Sequence, residues 1–371
     1  MRPLGDPIEL EVDLGNANVG LSADLDRLIY GRADGSLAIR GTAPRSPIQS
    51  LPGPDGLVHY CRADPSGRYV AMQYLIGDLR DHERRRYIFR VWDVEKRELI
   101  HEQPGTGNLG MDFSADGRWL AYTGVDGDIR LFDMVEREIR GTLTTSINVS
   151  ALRFSPEGER LALARSEAVE IWDVESKTLK RTFQLDAYCY DVAWHPDGTT
   201  LAAGCAGFHV HLMNADTGEE REPFVGHSAE VTRVGFCVEG GLVASSSWDK
   251  SLRLWRLVDG ELMLSHFESG ALAGISFYDS RIAVQNGSKL QIYEIAANGE
   301  FRMFLGHEPE LKRRGSVMMS DDGKLLASAG RDGVMLWDLD EPGTSARLST
   351  GLSYSALFRR GGRELITSSN Q

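Results

Sequence analysis

Two histidines, His209 and His211, are the residues whose types and spacing come nearest to a metal site. Side chains two residues apart on a β-strand point to the same face, so both imidazoles would lie side by side. A zinc site needs three or four ligands, and His195 or Cys205 would have to supply the others. The interpretation that we favour is that both histidines lie on the polar face of a strand, packed beside a neighbouring sheet. We therefore expect no metal and no cofactor.

Four arginines stand close together in the segment IGDLRDHERRR (76–86): Arg80, Arg84, Arg85 and Arg86. Guanidinium groups pair well with carboxylates and phosphates, so one interpretation is a docking loop for an acidic or phosphorylated protein segment. The alternative, which we favour slightly, is a solvated loop whose arginines pair with its own acidic residues. In either case the segment is an insertion between two strands.

The chain lacks the sequence signatures of the common catalytic sites, namely GxxxxGK[ST], HExxH and GxSxG. Lys plus Arg number 41 and Asp plus Glu 54, which gives a formal net charge of −13. This balance argues against nucleic acid and against anionic membranes as partners, since both require a concentrated basic surface. Four cysteines without CxxC spacing and no apolar run long enough to span a bilayer predict reduced thiols and a cytoplasmic protein. Among the 41 basic residues 34 are Arg, a skew that we read as bacterial.

Internal repeats are the strongest signal in the sequence. Tight-turn strings recur as FSADG (113–117), FSPEG (154–158), WHPDG (194–198) and MSDDG (319–323), and an apolar strand follows each of them. A second series contains FRVWDVE (89–95), IRLFDMV (129–135), VEIWDVE (169–175), VHLMNAD (210–216), LRLWRLV (252–258), LQIYEIA (290–296) and VMLWDLD (334–340). Its tryptophan position recurs after 40, 40, 41, 42, 38 and 44 residues.

Within each period, apolar residues alternate every second position and Gly, Asp or Asn stand at the breaks. This pattern predicts four short antiparallel strands per unit. A unit of this size cannot bury both of its faces alone, so neighbouring units must stack face to face. Closing the stack into a ring removes the open ends, and the predicted fold is an all-β propeller.

The chain resembles the WD40 repeat family through specific dipeptides: Gly-His at 226–227 and 306–307, and Trp-Asp at 92–93, 172–173 and 337–338. The sixth unit, GHSAEVTRVGFCVEGGLVASSSWDKSLRLW (226–255), matches best. The resemblance implies a structural hydrogen-bond network of His227, Ser247, Asp249 and Trp255. Other units depart from the pattern, with Met, Phe, Tyr or Arg in place of the tryptophan.

We expect one propeller domain over residues 1–371, with eight blades favoured over seven blades plus an overflow into a second propeller. The predicted units are 18–52, 55–104, 107–145, 147–185, 187–227, 228–269, 270–310 and 311–350, followed by a half unit at 351–371. Residues 7–13 have the pattern of a fourth strand, and the resemblance implies that this strand closes the last blade.

The resemblance also implies that partners bind the top face of the propeller, around the channel mouth. Mapping the sixth unit onto the others places a set of residues there: His59, Tyr188, Tyr190, Glu230, Trp248, Arg313, Arg331 and Tyr354. Aromatic residues and arginine dominate interface energetics, so this set predicts a binding surface. The alternative is that the tyrosines only fill the centre of the ring.

The leading hypothesis is a non-catalytic protein–protein interaction platform that binds a protein or peptide on this face. A second hypothesis, prompted by the half unit at 351–371, is a sensory or scaffolding region of a larger bacterial signalling protein, such as a kinase or a signalling ATPase. A remote third is a metal-dependent propeller enzyme. It would require more channel-facing acids and histidines than His59, Asp191 and Glu230.

Overall fold

The computed structural model describes the chain in segments, which together contain only strands, turns and loops. The described residues are 2–3, 8–9, 20–22, 26–32, 35–41, 46–54, 56–77, 85–107, 110–145, 149–237, 240–267, 272–278, 281–286, 289–294, 317–319, 325–330, 333–338, 345–348, 353–359 and 364–369. Contacts divide the chain into two compact units, Met1–Phe301 and Arg302–Gln371.

The first unit opens with two very short strands, β1 (Arg2–Pro3) and β2 (Ile8–Glu9). Sheet 1 consists of β3 (Gly20–Leu21), β4 (Arg27–Gly31), β5 (Leu37–Gly41) and β6 (Gln49–Leu51). Sheet 2 consists of β7 (Leu57–Ala63), β8 (Tyr69–Ile76), β9 (Arg86–Asp93) and β10 (Glu98–Pro104). Sheet 3 consists of β11 (Met111–Phe113), β12 (Trp119–Thr123), β13 (Ile129–Asp133) and β14 (Glu138–Leu143).

The next three sheets have strands of four to seven residues. Sheet 4 consists of β15 (Ala151–Phe154), β16 (Arg160–Arg165), β17 (Ala168–Asp173) and β18 (Thr178–Gln184). Sheet 5 consists of β19 (Cys189–Trp194), β20 (Thr200–Cys205), β21 (His209–Asn214) and β22 (Glu220–Val225). Sheet 6 consists of β23 (Val231–Phe236), β24 (Leu242–Ser247), β25 (Ser251–Arg256) and β26 (Leu262–Phe267).

Sheet 7 completes the described part of the first unit with β27 (Leu272–Tyr278), β28 (Arg281–Asn286) and β29 (Lys289–Glu294). In the second unit, sheet 8 consists of β30 (Val317–Met319), β31 (Leu325–Gly330), β32 (Gly333–Asp338) and β33 (Ser345–Leu348). Sheet 9 is the hairpin of β34 (Ser353–Arg359) and β35 (Glu364–Ser369). The all-β fold of four-stranded antiparallel sheets, predicted from the two-residue alternation, is confirmed.

Hydrophobic cores lie between consecutive sheets of the first unit. One cluster joins Ala162 and Ile171 of sheet 4 to Val192 and Leu201 of sheet 5, all of them buried. Equivalent clusters join sheets 1 and 2, 2 and 3, 3 and 4, and 5 and 6. Each sheet therefore buries its apolar faces against its neighbours, which is why a single four-stranded unit would not be stable alone.

Two residues of the recurrent tight turn, a serine and a glycine, stabilise its conformation locally. In the FSADG turn, the hydroxyl of Ser114 accepts a hydrogen bond from the backbone N–H of Trp119 at 2.9 Å. The backbone N–H of Gly117 donates to the carbonyl of Ser114 at 2.9 Å, and Gly117 has a φ of 70°. A side chain in that left-handed conformation would be strained, so glycine is required there.

The strand predicted at residues 7–13 pairs differently from the expectation. Ile8 and Glu9 pair with Leu290 and Lys289 of β29, and Arg2 and Pro3 pair with Glu294 and Tyr293 of the same strand. The N-terminal strands thus occupy the fourth-strand position of sheet 7 and not that of the last sheet. The free edge of β29 offers unpaired N–H and C=O groups to this segment. The blade number and the single domain over 1–371 stay predictions.

Within the segments described above, no helix is long and apolar enough to span a membrane. All four cysteines are free and buried, as the absence of CxxC spacing predicted.

Candidate functional site

The candidate site lies at one end of sheets 4 to 6, which we call the upper edge. We define it by the connections into sheets 5 and 6 and by the turns between the second and third strands of sheets 4 to 6, which lie at the same end of an antiparallel sheet. These are residues 166–167, 186–188, 206–208, 226–230 and 248–250. The turns between the third and fourth strands, such as 257–261, lie at the opposite end.

Three of the predicted surface residues, Tyr188, Tyr190 and Trp248, come together at the upper edge; we call them the aromatic cluster. The ring centroids of Tyr188 and Tyr190 are 5.0 Å apart with an interplanar angle of 61°, and those of Tyr190 and Trp248 are 5.5 Å apart at 56°. Tyr188 is 42% exposed and Trp248 is 52% exposed, whereas Tyr190 is half-buried between them. An exposed set of large aromatic residues is typical of a binding surface and unusual for packing alone.

The backbone around the aromatic cluster is held by hydrogen bonds. The hydroxyl of Ser150 donates to the phenol oxygen of Tyr188 at 2.8 Å, and the N–H of Ala206 donates to the Tyr188 carbonyl at 2.8 Å. The N–H of Trp248 donates to the carbonyl of Glu230 at 3.1 Å. The cluster therefore bridges sheets 5 and 6 and is already ordered before any partner binds.

Burial and the nearby Glu230 carboxylate both raise the pKa of Tyr190. Glu230, another of the predicted surface residues, belongs to the same surface through its backbone, since its carbonyl accepts the N–H of Trp248. Asp186 and Glu167 are exposed on the same edge. The five upper-edge segments contain the acidic residues Glu167, Asp186, Glu230 and Asp249 and one lysine, Lys250, and Arg253 of β25 lies 3.9 Å from Asp249.

The remaining predicted surface residues lie elsewhere. His59 is in sheet 2, where its ring contacts Tyr87 edge-on with centroids 5.5 Å apart. Arg85 precedes β9, and Arg86 begins it, paired with Ile76. The predicted insertion 76–86 thus begins and ends in strand residues, and residues 78–84 lie outside the described residues. Tyr354 belongs to β34 of the second unit. Four of the predicted residues lie outside the described residues: Arg80, Arg84, Arg313 and Arg331.

A buried hydrogen-bond network includes Asp249, the residue after Trp248, and it contains Ser245 in place of the predicted Ser247. His227 Nδ1 lies 2.9 Å from Asp249 Oδ2, and its Nε2 lies 2.7 Å from the Oγ of Ser245. The indole N–H of Trp255 donates to the same Ser245 oxygen at 2.8 Å. Ser247, predicted for this position, instead donates to the carbonyl of Ala229 at 3.0 Å.

The strand register explains why Ser245 and not Ser247 belongs to the network. Trp255 is paired with Val243 across the hairpin, so its indole reaches the next residue on the same face, which is Ser245. Ser247 lies one further step along, at the beginning of the turn. The three serines at 245–247 look alike in the sequence, and only the register separates them.

His209 and His211 lie on one strand face, as predicted, with ring centroids 6.2 Å apart. His211 Nε2 lies 3.7 Å from a carboxylate oxygen of Asp186. Among the described residues, no group of three or more His, Cys, Asp or Glu side chains is arranged to hold a metal ion. His195, considered above as a third ligand, instead contacts the backbone: its Nε2 lies 3.1 Å from the carbonyl oxygen of Gly240.

Sequence reasoning missed a set of ion pairs on the first strands of sheets 2 to 5, in which the carboxylates are buried. Arg153 Nη2 lies 2.8 Å from Asp191 Oδ1, and Arg62 Nη2 lies 2.7 Å from Asp112 Oδ1. Burial opposes the charge on Arg153, but Asp191 and other neighbours outweigh it and raise its pKa. The two carboxylates also accept backbone N–H groups of the next sheet, from Phe154 and Val234. The sequence offered one signal for these ion pairs, namely a single charged residue within each otherwise apolar first strand.

Acid should weaken the fold at mild pH, because burial lowers the pKa of four histidines below 6.5: His59, His101, His211 and His227. The unfolded chain binds protons at these sites more readily than the folded chain, so stability falls as the pH drops through about 6.5. Thermal unfolding at about pH 7.5 and about pH 5.5 should show a lower midpoint in acid. The loss should be smaller in His211→Gln, and an unchanged midpoint would contradict the assignment.

Two stretches of the chain match known protein families. Residues 155–239 match the family described as the anaphase-promoting complex subunit 4 WD40 domain, and residues 98–133 match the WD domain, G-beta repeat. The first match includes Tyr188 and Tyr190. These two matches support the resemblance of the chain to the WD40 repeat family.

The individual relatives that resemble this chain are eukaryotic proteins. Serine-threonine kinase receptor-associated protein is 30% identical in Homo sapiens, over 50% of this chain and 55% of the relative, and 28% identical in Mus musculus, over 61% and 65%. COMPASS component SWD3 of Saccharomyces cerevisiae is 26% identical over 52% of this chain and 65% of the relative. The chain thus spans between about half and just under two thirds of these relatives. They do not support the bacterial origin read from the arginine content.

Proposed function

We propose that this chain is a non-catalytic interaction platform that binds a protein or peptide at the upper edge of sheets 4 to 6. The observation that carries the proposal is the aromatic cluster of Tyr188, Tyr190 and Trp248. Its outer rings, Tyr188 and Trp248, are exposed, each contacts the Tyr190 ring, and backbone hydrogen bonds anchor the cluster. Tyr and Trp are the residues that most often dominate binding energy at protein interfaces.

Two further observations support this proposal. WD40 repeats generally mediate protein interactions, and two of the relatives carry names that describe a receptor-associated protein and a component of a complex. The ordered backbone under the cluster lowers the entropic cost of binding, because the rings need little rearrangement. A cytoplasmic location and freedom from a cofactor belong to the same proposal.

Site-specific photo-crosslinking tests the proposal. The photoreactive residue p-benzoylphenylalanine is placed at position 248 in one variant and at position 258 in a second. Val258 is a matched control, since it is 74% exposed and apolar but lies in the turn at the opposite end of β25. We expect a defined adduct from position 248 that is absent from position 258. The adduct should be lost when Tyr188→Ala and Tyr190→Ala are added.

The proposal fails if the same partner forms an adduct equally at position 258, or if the two tyrosine substitutions leave the adduct from position 248 unchanged. Thermal unfolding of each variant establishes that the fold is retained. Arg80, Arg84, Arg85 and Arg86 suggest a partner with acidic or phosphorylated residues. Such a partner would bind those arginines and not the aromatic cluster, and it stays a separate prediction.

A further inference from the structure

The aromatic cluster has a geometry that suits a positive charge. An aromatic face carries negative electrostatic potential and attracts a cation within about 6 Å of its centroid. The centroids of Tyr190 and Trp248 are 5.5 Å apart and their planes are tilted by 56°. A single cation can therefore lie within that range of two rings at once.

Elsewhere the chain fills such positions with its own arginines. Five described rings have a guanidinium carbon 4.9 to 5.9 Å from their centroids: Tyr69, Tyr74, Trp119, Trp194 and Trp255. Among these described contacts, none involves a ring of the aromatic cluster. In this set of contacts, the chain therefore places none of its own guanidinium groups against the cluster, and two of the three rings, Tyr188 and Trp248, are exposed.

The carboxylates around the cluster favour the same kind of ligand. The carbonyl of Glu230 accepts the N–H of Trp248, which places this residue at the cluster, and its carboxylate adds to the effect of burial in raising the pKa of Tyr190. Asp186 is two residues from Tyr188, and its carboxylate is 73% exposed. An acidic ligand would meet both carboxylates and the negative ring faces, whereas a basic ligand is attracted by all of them.

We propose that the aromatic cluster, with Glu230 and Asp186, binds an arginine or lysine side chain of a basic peptide segment. This inference rests on the proposed function, because it names the chemistry of the partner at the same surface. The cation lies against the Tyr190 and Trp248 rings, and the carboxylate of Glu230 neutralises its charge from the side. Desolvated cation–π contacts and a charge partner together give preference over a neutral ligand of the same shape.

Fluorescence anisotropy with the full chain tests the charge preference. The probes are three fluorescein-labelled peptides of about twelve residues on one Gly-Ser scaffold, which carry arginine, its neutral analogue citrulline, or glutamate. We expect the arginine probe to bind roughly tenfold more tightly than the citrulline probe, and the glutamate probe to bind most weakly. Trp248→Ala and Tyr190→Leu should bring the ratio between arginine and citrulline close to one.

Two further variants complete the test. Glu230→Gln should reduce the preference for arginine roughly threefold while retaining the rings, and Val258→Ala should leave all three affinities unchanged. Equal binding of arginine and citrulline probes, tighter binding of the glutamate probe, no binding of the arginine probe at millimolar concentration, or insensitivity to Trp248→Ala would each overturn the inference. If the position 248 adduct still forms in those cases, the interaction surface stands and only its charge preference is wrong.

Discussion

Asp191→Ala is expected to lower the free energy of unfolding of the first unit by about 3–5 kcal/mol. Asp191 accepts a hydrogen bond from Arg153 at 2.8 Å, and both side chains are largely buried, with 3% and 16% exposure. Removing the carboxylate leaves a guanidinium in a low-dielectric environment without its partner. Asp191 also accepts the N–H of Val234, so the contact from sheet 5 to sheet 6 is lost as well.

Urea denaturation followed by tryptophan fluorescence measures this loss. The matched control is Glu98→Ala, which removes the exposed ion pair with Arg137, whose side chains are 45% and 38% exposed. Exposed pairs contribute little, because water solvates both charges when they separate, so this variant should unfold near the wild-type midpoint. The same midpoint for Asp191→Ala and Glu98→Ala would show that burial does not make the Arg153 pair important.

Ser245→Ala should cost about 2–4 kcal/mol, because one hydroxyl serves two buried partners. Burial lowers the pKa of His227, which is therefore neutral at pH 7, and we assign its proton to Nδ1 facing Asp249. Ser245 then donates to Nε2 and accepts the indole N–H of Trp255. The alanine variant leaves both of these buried groups unpaired.

Ser247→Ala is the matched control for this second prediction. This variant also removes a serine hydroxyl from β24, but the partners of the Ser247 hydroxyl are the Ala229 carbonyl and the Asp249 N–H beside the turn. We expect a cost of about 1 kcal/mol, since water reaches these groups more readily. Thermal and chemical unfolding of the two variants side by side distinguish the assignments. If Ser247→Ala lowered the free energy of unfolding as much as Ser245→Ala or more, the assignment of Ser245 to the network would be contradicted.

The network also connects stability to the proposed binding surface. Asp249 accepts the N–H of Ser228, which joins the entry loop of sheet 6 to the turn that carries Trp248. Glu230, in the same entry loop, accepts the N–H of Trp248. Ser245→Ala is therefore expected to loosen the turn as well as to destabilise the sheet, because Asp249 loses a well-oriented histidine.

Much of the architecture could be read from local patterns. Two-residue alternation determines which strand faces are apolar, and the turn glycines mark where each strand must end, as at Gly117. Both are properties of short segments, so no knowledge of distant contacts was needed to predict four-stranded antiparallel sheets. Tyr188, Tyr190 and Trp248 were also predicted to lie on one face, because mapping the sixth unit onto the others places them at the same end of their sheets.

Contacts between distant segments could not be read in this way. The pairing of Ile8 with Leu290, the choice of Ser245 over Ser247 and the Arg153–Asp191 ion pair depend on register and on which sheets are neighbours. A strand sequence states which face is apolar but not which partner will lie opposite, since backbone hydrogen bonds are the same for every residue. Sequence alone therefore determined the repeated sheet, and the tertiary structure alone decided how its polar residues are paired and how three separated rings meet at one edge.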